Sequence, residues 1–322
     1  MGVGDRTGEG HGSVDFGRGH DHTPAPALAN AGREGIRATK VSLAILGATA
    51  LAQLAIVFVS GSVALMSDTL HNLSDALTAI PLWIAFAVGM RPATRRYTYG
   101  LNRAEDLAGL VIVVAIGASA VLIGWEAVGR LLEPHPIGNP GWVIAAGVVG
   151  ALGNEVVARY RMAVGRRIGS EALVADGHHA RSDAYTSVAV VAAGVGALVG
   201  WDWLDPVGGL VVAAVIAVLL VRSGRVVLRR LLDGIEPERV ERASRTIAAT
   251  AGVDAVHDVR MRWQGHLLRV AASIAVDPDM AVCRAHEIAH EAEHALHHAF
   301  DEQPMVVTIH LEPTVHADHE PS

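Results

Sequence analysis

Residues 41–67 carry no Asp, Glu, Lys, Arg or His. A run of that length exceeds the ~20 apolar residues that take a helix across a bilayer. Lipid admits only structures whose backbone hydrogen bonds are satisfied internally. This stretch therefore excludes an ordinary soluble fold for this part of the chain. Comparable segments follow, and six spans are predicted at about 38–60, 63–90, 105–131, 140–162, 171–199 and 206–228. The second, fifth and sixth are interrupted or shortened by acidic or basic residues. Composition agrees: of 322 residues, 51% are hydrophobic and 18% charged, against roughly 25% charged in soluble domains.

Basic residues flanking membrane spans stay on the cytoplasmic side. Arg91, Arg95, Arg96 and Arg103 lie between spans two and three, Arg159, Arg161, Arg166 and Arg167 between four and five, and Arg222, Arg225, Arg229 and Arg230 after span six. The opposite connections hold Arg130 beside Glu133, with Asp202 and Asp205 in the last. A multi-pass plasma-membrane protein with both termini in the cytoplasm is expected. Residues 1–35 are Gly-rich and polar, lack the apolar core of a cleavable signal, and read as a disordered cytosolic tail holding His11, His20 and His22.

After Leu232 the composition changes. A helical pattern over 236–251 leads to strands at 256–264 and 267–276, an amphipathic helix over 281–300 and a strand at 305–311. That αββαβ order suits a two-layer α+β domain with both helices on one sheet face. The expected organisation is thus a tail (1–35), a six-span helical membrane domain (36–232), a cytosolic domain (233–313) and a short tail (314–322). A net charge of -7 argues against nucleic acid as a partner. The single Cys283 excludes an internal disulfide and a Cys-paired zinc ribbon. Usage rich in Ala, Gly, Val and Arg, with Lys40 the lone lysine, points to a GC-rich bacterial source.

The chemistry sits in an internal repeat. Residues 62–78 read SVALMSDTLHNLSDALT and residues 170–186 read SEALVADGHHARSDAYT. Both hold Asp-x-x-His-x-x-x-Asp: Asp68, His71 and Asp75 in span two, Asp176, His179 and Asp183 in span five. The same offset carries span one onto four and span three onto six. Copies three spans apart run antiparallel, and such inverted repeats are a transporter architecture with the substrate site near the midplane. His71 and Asp75 are i and i+4 and share one helix face, as do His179 and Asp183. Two facing pairs supply two imidazole nitrogens and two carboxylates, a tetrahedral set suited to Zn²⁺. Each pair falls roughly 13–20 Å into its span at 1.5 Å per residue, near the bilayer centre. A charge there costs at least ~2.5–3.5 kcal/mol, which marks such residues as functional; the alternative is polar contacts that merely hold the bundle. Asp68 and Asp176, one turn earlier, could guide ions or protons, cap a helix, or orient the histidine from behind. Arg181 points to the other side and needs an acid on a neighbouring helix. Glu126, Asn154 and Glu155 read as structural, and Gly196 and Gly200 form a GxxxG suited to close helix packing.

The segments SVALMSDTLHNLSDA, YTYGLNRAEDLAGL, EALVADGHHARSDA and VVTIHLEP resemble the cation diffusion facilitator family, over about residues 36–313. The resemblance implies six spans, a cytosolic αββαβ domain, homodimerisation and proton-coupled export of divalent metals from the cytosol. His-x-x-x-Asp in both spans two and five is similar to the zinc-selective branch, placing transport ligands on His71, Asp75, His179 and Asp183. Some members bind a second metal between spans two and three; here Arg95–Leu101 is basic and aromatic, which argues against that site. A regulatory metal between the two cytosolic domains is implied at residues matching His257, His286 and His310, with Glu312 where an Asp stands and Ser273 replacing a ligand. Zn²⁺ is then both cargo and regulatory ligand, the alternative cargo being another divalent metal (Cd²⁺, Co²⁺, Mn²⁺, Ni²⁺ or Fe²⁺).

Two rival functions can be weighed. His286-Glu287-x-x-His290 matches the metalloprotease signature HExxH, with Glu287 as general base. A domain of this size offers little room for a third ligand and a substrate cleft, and the intramembrane pairs would be left unexplained. A metal sensor that does not transport would not need the inverted repeat. A transporter rather than an enzyme is expected.

Overall fold

The structure, a computed structural model, describes residues 25–60, 79–133, 139–201, 203–300 and 303–314. His11, His20, His22, Asp68, His71 and Asp75 lie outside the described residues. The membrane part comprises α1 (Ala25–Ser60), α2 (Ala79–Gly89), α3 (Arg103–Leu132), α4 (Pro140–Ile168), α5 (Glu171–Leu198) and α6 (Leu204–Leu231). Among the described residues, α1, α3, α4 and α6 are long and apolar enough to cross a membrane. α5 has the length, and its His, Asp and Arg side chains lower its apolarity. A core of Leu82, Phe86, Ile112, Ile116, Leu173 and Ile216 lies between these helices. Large apolar residues such as Leu51, Phe58, Val121, Leu122, Trp125 and Val211 face outward, as expected of helices apolar all round.

Local signals set several helix ends. α4 starts on Pro140 and ends at Gly169, whose φ of 75° places it in the left-handed region. The next residue, Ser170, opens α5, its hydroxyl accepting the Leu173 N–H at 3.1 Å. α4 and α5 are therefore an antiparallel hairpin with almost no connecting loop.

Two expectations are corrected. The tail predicted over 1–35 is helical from Ala25 onward. Residues 25–35 are polar on one side only: Ala31 is buried, and a Cβ at Gly35 would lie 2.6 Å from the Phe86 ring. Small residues thus seat the α1 start against the end of α2. The GxxxG of Gly196 and Gly200 is likewise no packing stripe. Gly200 has φ of 77° just past the end of α5, and the Trp201 N–H returns to the Gly196 carbonyl at 2.8 Å, a Schellman termination.

The C-terminal part runs α7 (Pro237–Ala248), β1 (Ala255–Gln264), β2 (Leu267–Val276), α8 (Val282–Ala299) and β3 (Met305–Pro313). The sheet order is β1-β2-β3, with β1 and β2 antiparallel and β2 and β3 parallel. Both helices cover one sheet face over Ile247, Trp263, Leu268, Ile274, Ile288 and Leu296. This is the expected αββαβ sandwich. Its β1–β2 turn has two residues, with Gly265 at φ 59° in the first position, matching type II′.

Candidate metal transport site

α5 carries the half of the expected site that lies among the described residues. His179 is buried, at 2% exposure, and Asp183, one turn on, is half-buried. Counted from Glu171, they sit about 12 and 18 Å along the helix at 1.5 Å per residue. A different side of α5 packs closely on α4. A Cβ at Gly177 would come 2.6 Å from Met162 Cγ and 3.1 Å from the Ala158 carbonyl oxygen, so the two backbones meet directly. Their sequence partners His71 and Asp75, with Asp68, lie outside the described residues, which hold two of the four expected ligands.

Asp176 faces Arg161 of α4, with Nη1 to Oδ2 at 3.0 Å and side-chain exposures of 2% and 0%. Both carboxylate oxygens and the remaining guanidinium nitrogens have no hydrogen-bond partner among the described residues. The two charges therefore depend on each other. By sequence Arg161 counts among the basic residues between spans four and five, whereas it lies well inside α4, which continues to Ile168. The missed signal is its position on the buried stripe Val157, Ala158, Arg161, Met162 and Gly165. Arg181 finds its acid in Glu155 of α4 at 3.1 Å, and Glu155 also accepts from Arg159 at 2.6 Å. Glu126 pairs with Arg130, which reaches Asp205 of α6 at 2.7 Å. Asn154 is buried.

In the C-terminal domain the register aligns His257, Ser273 and His310 across β1, β2 and β3. The helices cover the face of Ile274 and Ala272, so this row lies on the open face, where His257 and His310 are exposed. Glu312, two residues on, approaches His310 at 3.9 Å. His286 stands on α8, in the layer on the other side of the sheet, and one chain does not unite it with the row. Among the described residues no group of three or more potential metal-ligating side chains occurs. The HExxH residues are exposed on α8, where Glu287 pairs with Arg284 at 2.8 Å. The loop between α2 and α3 is an aromatic platform: Tyr99 stacks under Arg269 and Arg262, at 4.8 and 5.8 Å.

Long, largely apolar helices joined to a small α+β domain, with a buried His and a half-buried Asp along one of the less apolar helices, fit the class that the sequence matches, membrane transporters of divalent metal cations that are not enzymes. The chain belongs to the cation diffusion facilitator family. Residues 39–232 match the cation efflux transmembrane domain, and residues 235–314 the cytoplasmic domain of cation efflux proteins. It is 52% identical over 289 residues to a probable cation efflux system protein of Mycobacterium tuberculosis, covering 89% of this chain and 86% of that one. It is similar also to the manganese efflux system protein MneS of Bacillus subtilis, 26% identical over 87% of this chain and 96% of that protein. A cadmium, cobalt and zinc/H(+)-K(+) antiporter of Bacillus subtilis is 29% identical over 75% of this chain and 78% of its own length.

Proposed function

We propose that this transporter exports Zn²⁺ from the cytosol in exchange for protons. The observation that carries this reading is the pair of buried His179 and half-buried Asp183 on α5, duplicated in the sequence by His71 and Asp75. Two imidazoles and two carboxylates suit Zn²⁺ in number and softness. The two aspartates balance the ion's two charges, which lowers the cost of holding it in low dielectric. Asp176 adds nothing to that sum, because Arg161 neutralises it.

Coupling follows from ligand chemistry. Zn²⁺ binds only when both histidines are neutral and both aspartates ionised, so loading releases protons and protonation on the far side expels the metal. The α4–α5 hairpin moves as one body because its backbones are in contact at Gly177, and alternating access is rocking of such repeats about the site. The basic residues of the α2–α3 loop and of the last turns of α4 and α6 support a cytoplasmic placement of both termini.

The chain is a homodimer in this account, supported by its cytoplasmic dimer-type domain. The open-face row of His257, His310 and Glu312 binds regulatory metal between the two cytosolic domains, with His286 a further ligand in the dimer. Zn²⁺ flux into proteoliposomes tests the antiport: an opposing proton gradient accelerates it. Flux indifferent to the gradient refutes proton exchange, and Mn²⁺ flux in preference to Zn²⁺ refutes the choice of metal.

A further inference from the structure

A second set of buried polar groups lies where the cytoplasmic domain meets the membrane helices. The β1–β2 turn inserts its tip among the helix ends. His266 is 4% exposed. Its Nδ1 lies 2.7 Å from Glu105 Oε2 on α3, and its Nε2 lies 3.5 Å from the Leu28 carbonyl oxygen on α1. The Phe86 ring of α2 stands 6.0 Å from the imidazole, centre to centre. Beside it the Gly265 N–H donates to Asp106 Oδ2 at 3.0 Å. Arg230, at the end of α6, donates to the Gly265 carbonyl at 3.3 Å and to the Gly169 carbonyl at 2.9 Å. It also approaches Glu171, the first residue of α5, at 3.5 Å. Only glycine fits at the tip: a Cβ there would lie 2.7 Å from both the Asn102 carbonyl oxygen and Glu105 Oε2.

Both ring nitrogens of His266 face acceptors. A neutral imidazole donates from one nitrogen and accepts at the other, whereas the imidazolium donates from both. The geometry therefore selects the cation. We propose that protonated His266 is a positioning residue, a latch by which the cytoplasmic domain grips α1 and α3 directly and, through Gly265 and Arg230, the start of the metal-carrying helix α5. The proposal stands on metal transport as such and not on the choice of metal.

The charged groups around the latch act in one direction. Burial opposes the imidazolium, but the charge and hydrogen bond of Glu105, the Leu28 carbonyl and the charge of Asp106 outweigh it, so the pKa of His266 is raised above its ordinary value. Arg230 and Arg103 face Asp106, and among the described residues α2 presents the Phe86 ring. A raised folded-state pKa means that docking is fully stabilised below the ordinary histidine pKa and weakens as pH rises through the raised one. An alkaline cytosol thus loosens the domain from α5.

The test is hydrogen exchange of the 263–268 backbone in the full-length protein in nanodiscs, with protection factors corrected for intrinsic rates, from pH 6 to 9. Wild type is expected to lose protection by up to about tenfold per pH unit between the ordinary histidine pKa and the raised pKa of the latch, and to level off above it, as linkage to one proton requires. His266→Gln should be poorly protected and flat with pH. His266→Lys, a fixed cation facing Glu105, should restore protection without the pH slope, and Glu105→Gln should remove the slope from the other side. In proteoliposomes His266→Gln should lower turnover with the metal KM unchanged, and His266→Lys should recover it. A wild-type profile without slope, or His266→Gln retaining wild-type protection or turnover, overturns the proposal.

Discussion

Arg161 and Asp176 offer the most quantifiable perturbation. Their side chains are 2% and 0% exposed and meet at 3.0 Å between α4 and α5, in the hairpin that carries His179 and Asp183. Removing one member of a buried ion pair leaves a charge without compensation and costs about 3–5 kcal/mol, while replacing both by apolar groups of similar volume is often neutral or stabilising. Arg161→Met keeps most of the stem and strands the carboxylate. With each kcal/mol worth about 2–4 °C in a domain of 150–250 residues, the melting temperature should fall by roughly 6–20 °C. Purified protein in detergent, followed by tryptophan fluorescence on heating, reads this directly. Arg161→Met combined with Asp176→Leu should recover most of the loss, and, because the pair is structural, should retain Zn²⁺ flux. A single variant as stable as wild type refutes the ion-pair reasoning. A double variant that folds but does not transport returns Asp176 to the ion path.

Gly177→Ala should destabilise by about 1–3 kcal/mol, the usual cost of overpacking, and slow transport. Its methyl would press on Met162 and the Ala158 carbonyl; thermal melts and flux check both effects. His71→Asp should still transport but with a lower ratio of Zn²⁺ to Mn²⁺ flux in competition assays, because a carboxylate replaces a softer imidazole. An unchanged ratio removes His71 from selectivity. For the cytoplasmic row, Zn²⁺ at a hundredfold excess over its Kd should stabilise the full-length dimer by about 2.7 kcal/mol. His257→Ala with His310→Ala should abolish the part of that shift that persists in a transport-site mutant; a double variant that keeps it leaves those histidines passive.

Much of the architecture was readable because it rests on local periodicity. The αββαβ order follows from alternating strands and an amphipathic helix, and β2 occupies the 267–276 interval expected for it. Charge-free runs marked α1, α3 and α4. The Asp-x-x-His-x-x-x-Asp repeat, read with helix spacing, proposed His179 and Asp183 as ligands. What escaped depends on partners distant in sequence. Nothing in the sequence around Arg161 names Asp176, nor does Arg181 name Glu155. The early start of α1 was hidden because Gly32 and Gly35 score as tail-like, yet their lack of a side chain is what seats the helix on Met90 and Phe86. Gly200 fits a GxxxG by spacing, and only its positive φ reveals a helix end. His266 gave no signal beyond a Gly-His turn, since its acceptors come from α1 and α3.

The central claim is that His71, Asp75, His179 and Asp183 bind the transported ion, and Zn²⁺ flux by full-length Asp183→Ala bears on it most directly. The protein should be reconstituted at matched amounts, with insertion and dimerisation verified against wild type. Loss of flux is expected, because one of four ligands and one of the two balancing charges are gone. Near-normal Zn²⁺ flux from a correctly assembled Asp183→Ala protein would contradict the assignment.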